Sequence, residues 1–222
     1  MQHKVLLISN MDKQQEQLKT LREIRSLMEH SSRFLSLSGL SGVIAGIAAI
    51  TGVVAAYLFL DLSPDEPGYY QYATGKHGVT NPSFYTFLFA DMIVVLLVSL
   101  VAASVLTIRN ARQQGHKVWD ASAKRLVINM AIPLVAGGLY CLVLLYHGHM
   151  AFIAPATLIF YGLALLNASK YTLNDIRYLG VIEIIIGLIA SVVIDYGLLF
   201  WAFGFGVLHI VYGLTMYYKY GK

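Results

Sequence analysis

The chain is poor in the residues that build and staple soluble proteins. It has one cysteine, Cys141, in 222 residues, which excludes an intrachain disulfide framework and any zinc site of the multi-cysteine type. Charged side chains make up only 13% of it, against roughly 25% in ordinary soluble domains. A soluble core of this length interleaves charged positions every few residues, yet windows such as Phe34–Leu60 contain none. Uncharged windows of that size are the signature of spanning helices. Soluble enzyme motifs are missing as well: there is no Walker loop, dinucleotide glycine fingerprint, HExxH or GxSxG pattern. No cleavable leader is expected either, because the apolar piece Val5–Ser9 is too short for one and polar residues follow it.

What is present is apolar sequence, 57% of the chain. It gathers into six segments, at about residues 34–60, 84–108, 126–146, 151–169, 176–194 and 199–218, each near the ~20 residues that cross a ~30 Å hydrocarbon layer. The expected fold is an all-α integral membrane protein with six transmembrane helices arranged as three hairpins. Ahead of them, residues 1–33 form an N-terminal segment in which Met11–Arg33 predicts an amphipathic helix, with Leu18, Leu21, Ile24 and Met28 on one face. It is read as lying against the inner leaflet, or as a dimerising coiled coil. Residues 219–222 form a short tail. Leu179–Tyr218 is nearly continuous and would run roughly 60 Å as one helix, so a turn is placed at Asp195-Tyr196-Gly197-Leu198. Asn81-Pro82 predicts the start of the second span, and Thr172-x-x-Asp175 a capping box before the fifth.

Orientation follows from lysine and arginine. With the N-terminus inside, fifteen of the sixteen fall in inner segments and only Lys76 outside, a positive-inside pattern that every loop obeys. Both termini are therefore expected in the cytoplasm, with a bacterial inner membrane as the setting. The partner implied is the lipid bilayer, together with a second copy or another membrane protein; no nucleic acid is expected.

In the first span, Ser38, Gly42, Ala45, Ala49, Gly52 and Ala56 recur at spacings of four and three, a small-residue seam for close helix packing. On the fifth, Gly180, Glu183, Gly187 and Ser191 share a face; on the sixth, Ala202, Gly206, His209 and Gly213 do. A hairpin turning between Tyr196 and Gly197 puts Gly180 level with Gly213 and Gly187 with Gly206. It also puts Glu183 level with His209 to within about one residue's rise of ~1.5 Å. An adjacent imidazole can accept the hydrogen bond or the proton of a carboxyl in hydrocarbon, so the two are expected to share a proton. The alternative is a satisfied pair that only fixes how two helices dock. Asn129 and Asn167 are similarly level across the third and fourth spans and are read as packing through amide hydrogen bonds. Asp91 is the other acid within a span, and joins Glu183 and His209 as a candidate site.

At the outer face, His147 and His149 with Asp195 and His77 are ligand types for a divalent ion. No cofactor is otherwise implied. The glycine rhythm of LGVIEIIIGLIAS followed by GFGVLHIVYGL is similar to that of the six-span acid-resistance membrane proteins, and no residue or function is carried over from them. Two functions compete: a small-solute, ion or proton-linked transporter or ligand sensor using Glu183, His209 and Asp91, or a structural or regulatory subunit binding a protein partner. A metal-assisted membrane enzyme is a third.

Overall fold

Caps and uninterrupted apolar runs translate directly into helices. The computed structural model describes residues 17, 20, 37–61, 68–73, 81–115 and 118–220, and among them every regular element is helical. Apart from Gln17 and Thr20, the expected amphipathic helix at Met11–Arg33 lies outside the described residues, as do His77 and most of the loop 61–83. In chain order come α1 (Gly39–Leu60), α2 (Pro82–Gln113), α3 (Ala121–Tyr146), α4 (Ile153–Ala168) and α5 (Asp175–Val192). The last helix joins three pieces end to end: α6 (Gly197–Trp201), a π-helical segment Ala202–Leu208, and α7 (His209–Tyr220).

Helix starts follow side-chain chemistry. Asn81 Oδ1 accepts the Phe84 N–H at 3.3 Å with Pro82 next in sequence, and Asp120 Oδ1 accepts the Ala123 N–H at 2.7 Å. Each such cap contributes about 1 kcal/mol. α5 begins at Asp175, after Asn174 in helical conformation, while Thr172, three residues ahead of Asp175, has extended backbone. Thr172 is fully buried, and the Asp175 carboxylate accepts from Lys219 Nζ at 2.9 Å and Tyr220 Oη at 2.8 Å. The turn expected at Asp195–Leu198 is found as a 3-10 turn at Ile194–Tyr196, with helix resuming at Gly197.

Five helical stretches are long and apolar enough to cross a membrane: Gly39–Leu60, Pro82–Gln113, Ala121–Tyr146, Met150–Tyr171 and Ile194–Tyr220. Six were expected. The remaining one corresponds to α5, which has 18 residues and carries Asp175, Arg177 and Glu183, so its apolar part is short. α2 exceeds its expected bounds, reaching 32 residues, because nothing breaks it before Gly115, whose φ is +69°.

Glycine closes the helices on one another, but with partners different from those expected. Gly180 and Gly187 of α5 face α4: a Cβ on Gly180 would lie 2.7 Å from the Gly162 carbonyl oxygen, and one on Gly187 3.0 Å from that of Pro155. Gly206 and Gly213 of the last helix face α1, where a Cβ on Gly213 would lie 2.7 Å from the Gly39 carbonyl oxygen and one on Gly206 2.5 Å from Ile50 Cγ1. The expected Gly180–Gly213 and Gly187–Gly206 meetings do not form. α4 buries Ala154, Ala156, Gly162, Ala164 and Ala168, a small-residue surface that lets α5 approach closely.

The α1 seam divides in the same way. Gly42 lies against Gly213 and the His209 carbonyl, whereas Gly52 lies against Val95 and Asp91 of α2. Ala49 and Ala56 are buried between, and Ser38 and Ala45 are half-buried. Spacings of three and four drift ~20° per heptad around a straight helix, so one stripe reaches two neighbours. Gly39 and Gly46, outside that stripe, pack onto the last helix as well. Asn129 and Asn167 join α3 to α4 by one bond, from Asn167 Nδ2 to the Asn129 backbone oxygen at 2.8 Å. The Asn129 amide is turned to Arg125 O, also at 2.8 Å. The amides therefore do not exchange bonds.

At one end of the bundle a 3-10 turn, Tyr69–Ala73, folds over the helix ends. Tyr69 Oη donates to Met150 O at 3.3 Å and Tyr70 Oη to Asp195 Oδ1 at 2.6 Å, while the Gly68 N–H donates to Asp195 O at 2.9 Å. Ala56, Leu60, Phe84 and Leu198 pack beneath it.

Candidate functional site

Glu183 sits at mid-length of α5 and is fully buried. Its Oε1 lies 3.5 Å from His209 Nδ1 of the last helix. That is an ion-pair distance, but longer than the ~2.7–3.2 Å of an N–H···O hydrogen bond. The hydrogen-bond geometry decides between the two descriptions: neither carboxylate oxygen of Glu183 has a hydrogen-bond partner, because the ring N–H is directed elsewhere.

His209 Nδ1 is 3.0 Å from the Gly204 carbonyl oxygen. A carbonyl only accepts, so Nδ1 carries the proton. The other ring nitrogen, Nε2, is 2.8 Å from Tyr161 Oη of α4, and in the neutral ring it accepts the phenol's hydrogen bond. The tautomer is thus set from both sides, by a backbone carbonyl on its own helix and a phenol from a neighbour. Ring contacts extend the cluster, with Tyr161–Phe205 centroids 4.9 Å apart and Phe205–Trp201 also 4.9 Å.

Room for the acid comes from Gly204, not from the glycines expected to flank it. A Cβ at position 204 would lie 2.5 Å from Glu183 Oε2 and 2.5 Å from Leu158 Cδ2. Gly204 and Gly206 both belong to the π-helical segment, whose wide turn is rare in proteins and frequent at functional sites. Sequence reasoning missed Tyr161 and Gly204. Tyr161 carried a readable signal, since a phenol in the middle of an apolar run needs a hydrogen-bond partner once buried.

The remaining candidates are placed elsewhere. Asp91 packs against Gly52 on α1, and among the described residues it makes no hydrogen bond or ion pair with Glu183 or His209. His147 and His149 are exposed, with rings near-parallel and centroids 6.5 Å apart. Asp195 is engaged by Tyr70. Among the described residues no three His, Cys, Asp or Glu side chains gather as a metal-ligand set.

Comparison with protein-family models, curated proteins and solved structures finds no match to this chain. An ionised carboxylate at Glu183, without a donor, is costly by several kcal/mol. The carboxyl is therefore chemically suited to the neutral form, with the His209 ring 3.5 Å away. The contacts of the site also join bodies: Glu183 and Tyr161 belong to the glycine-closed pair α4–α5, and His209 to the pair formed by α1 and the last helix.

Proposed function

We propose that the chain is an integral membrane protein of six spans, α5 included, with both termini in the cytoplasm of a bacterial cell. In this reading it moves or senses a small solute in a proton-linked manner through Glu183 and His209. The observation that carries the reading is the pair of buried, unpartnered Glu183 oxygens at the junction of two glycine-closed helix pairs. Stability alone gives no reason for such a group, whereas buried ionisable residues within membranes mark ion, proton or substrate paths. The distribution of fifteen basic residues against one supports the orientation. With Glu183 neutral and Asp175 and Arg177 at the membrane surface, the 18 residues of α5 fall at the short end of the ~17–25 that a crossing takes.

The test uses vesicles containing the protein, an imposed pH gradient reported by a dye, and classes of small solute added in turn. One class is expected to discharge the gradient, at least ten-fold more slowly in Glu183→Gln. Wild-type rates in both Glu183→Gln and His209→Gln overturn the reading.

One observation favours a second reading, a subunit that docks another membrane protein. Of its 32 residues α2 buries only Phe84 and Ala111, which leaves a long apolar face for lipid or a partner. A strictly monomeric protein from which mild purification recovers no stoichiometric partner removes this alternative.

A further inference from the structure

The ring proton of His209 stands between two acceptors. It is 3.0 Å, measured from Nδ1, from the Gly204 carbonyl oxygen and 3.5 Å from Glu183 Oε1. A neutral carboxylic acid competes weakly for that N–H, and the carbonyl holds it, as observed. An ionised carboxylate is a different competitor, because hydrogen bonds to charged acceptors are roughly twice as strong as neutral ones. A small swing of the ring then delivers the N–H to Glu183.

We propose that the ligand of Glu183 is a single proton, and that its release switches the His209 N–H from Gly204 to Glu183 and so reshapes the π-helical segment Ala202–Leu208. The proposal deepens the reading of Glu183 as a protonatable site and rests on it. The proton leaves to bulk water, and the imidazole keeps its own proton throughout. A metal cation does not suit this position: the protonated Nδ1 of His209 lies 3.5 Å from the carboxylate, Leu158 lies alongside, and among the described residues no second carboxylate joins Glu183, whereas a hard cation takes about six or more oxygens.

The segment is built to respond. Gly204 lies inside the π turn and is tied to the ring of the residue five positions on. Losing that tie releases a carbonyl in a stretch whose wide register is intrinsically less favourable than the α-helix. The change reaches Trp201 through the ring series His209, Phe205, Trp201, with centroids 5.9 Å and 4.9 Å apart. Few other groups titrate here. α4 contributes Tyr161 alone, α1 only Tyr57, and α6 and the π segment none; α5 itself carries Asp175, Arg177 and Tyr178 in its first turn, and α7, beyond His209, carries Tyr212, Tyr217 and Tyr218, with Lys219 and Tyr220 beside Asp175.

The chain has two tryptophans, so Trp119→Phe leaves Trp201 as the sole reporter. Its emission is followed against pH in the full-length protein in lipid nanodiscs, in potassium and in sodium salts. One sigmoid transition of one proton is expected, with the same midpoint in both salts and an amplitude at least ten-fold smaller in Glu183→Gln. Amide exchange within Ala202–Leu208 is expected to speed up on the alkaline side of the midpoint. A flat wild-type profile, a midpoint that moves with sodium, or a wild-type transition in Glu183→Gln overturns the proposal. Should Glu183→Gln fail to fold, Glu183→Asp keeps a carboxyl one methylene shorter and is expected to displace the midpoint; an unmoved midpoint overturns it equally. No solute or gradient is involved, so a protein that titrates but transports nothing loses only the transport reading. One that transports with a flat profile loses only the switch.

Discussion

The contacts within the two helix pairs and the contact between them are built on opposite terms. Within α4–α5, and between α1 and the last helix, glycine brings backbone against backbone: Gly162 meets Gly180, and Gly39 meets Gly213. Nothing ionisable is needed there, and close approach supplies the dispersion energy that lipid tails cannot remove by competition. Between the pairs polar groups meet as well: Asp175 accepts from Lys219 and Tyr220 near the helix ends, and at mid-depth Glu183, His209 and Tyr161 come together, leaving two carboxylate oxygens without partners. The contrast teaches where the molecule is stiff and where it can change. Glycine crossings tolerate one packing, whereas a proton between two acceptors allows two.

That contrast can be broken most severely at a crossing. In Gly180→Leu the new side chain starts 2.7 Å from the Gly162 carbonyl oxygen, a backbone atom that has no rotamer to yield, so the cost exceeds the ~1–3 kcal/mol usual for overpacking. Size-exclusion chromatography in detergent is expected to show aggregate in place of the wild-type peak. Gly138 is the counter-case, a helical glycine with nothing within 4 Å of its missing Cβ. Gly138→Ala is expected to stabilise by about 0.5–1 kcal/mol, visible as a raised Tm.

The junction is expected to respond less to stability tests and more to function. Tyr161→Phe removes the donor that Nε2 of His209 accepts at 2.8 Å, and leaving that nitrogen unsatisfied costs about 1–2 kcal/mol. The fold should survive this, with the pH response of Trp201 displaced. An unchanged titration would show that the phenol does not help hold the tautomer.

The smallest effect is expected at the Tyr69–Ala73 turn, which belongs to neither class. The hydrogen bond to the Asp195 carboxylate holds the Tyr70 phenol above its ordinary pKa of 10.0. A folded value above the unfolded one means that this contribution is present below pH ~10 and is lost as pH rises past it. Tyr70→Phe is expected to lower stability by only about 0.5 kcal/mol near neutrality, since the ring is partly solvated, and to flatten the alkaline part of the Tm–pH curve. A wild-type alkaline slope in Tyr70→Phe assigns that slope to other groups.

Much of this was legible along the chain because it depends on neighbours in sequence. Asn81-Pro82 opens α2, and the turn at Ile194–Tyr196 divides the last apolar run within a residue of where it was expected. Depth along two helices joined by a short turn follows from a constant rise, which is why Glu183 and His209 were expected level and stand 3.5 Å apart. Depth says nothing about rotation. The same counting paired Gly180 with Gly213 and Gly187 with Gly206, yet each of these faces a different helix, because α4 and α1 offer small-residue surfaces that a hairpin diagram of α5 and the last helix alone leaves out. The π-helical segment was invisible as well, since its residues AFGFGVL suit an ordinary helix.

Residue order on its own settles that this chain is helical and apolar, where most of its helices begin and turn, and at what height Glu183 and His209 lie. Those properties come from hydrophobic run length, capping and rise per residue, all of them local. Which helix covers which glycine, which acceptor holds the His209 proton, and that Tyr161 reaches the ring from α4 are settled only when the surfaces meet. Each of these depends on complementary shapes and donors brought together from distant parts of the chain, and a single helix's pattern encodes only its own half of the match.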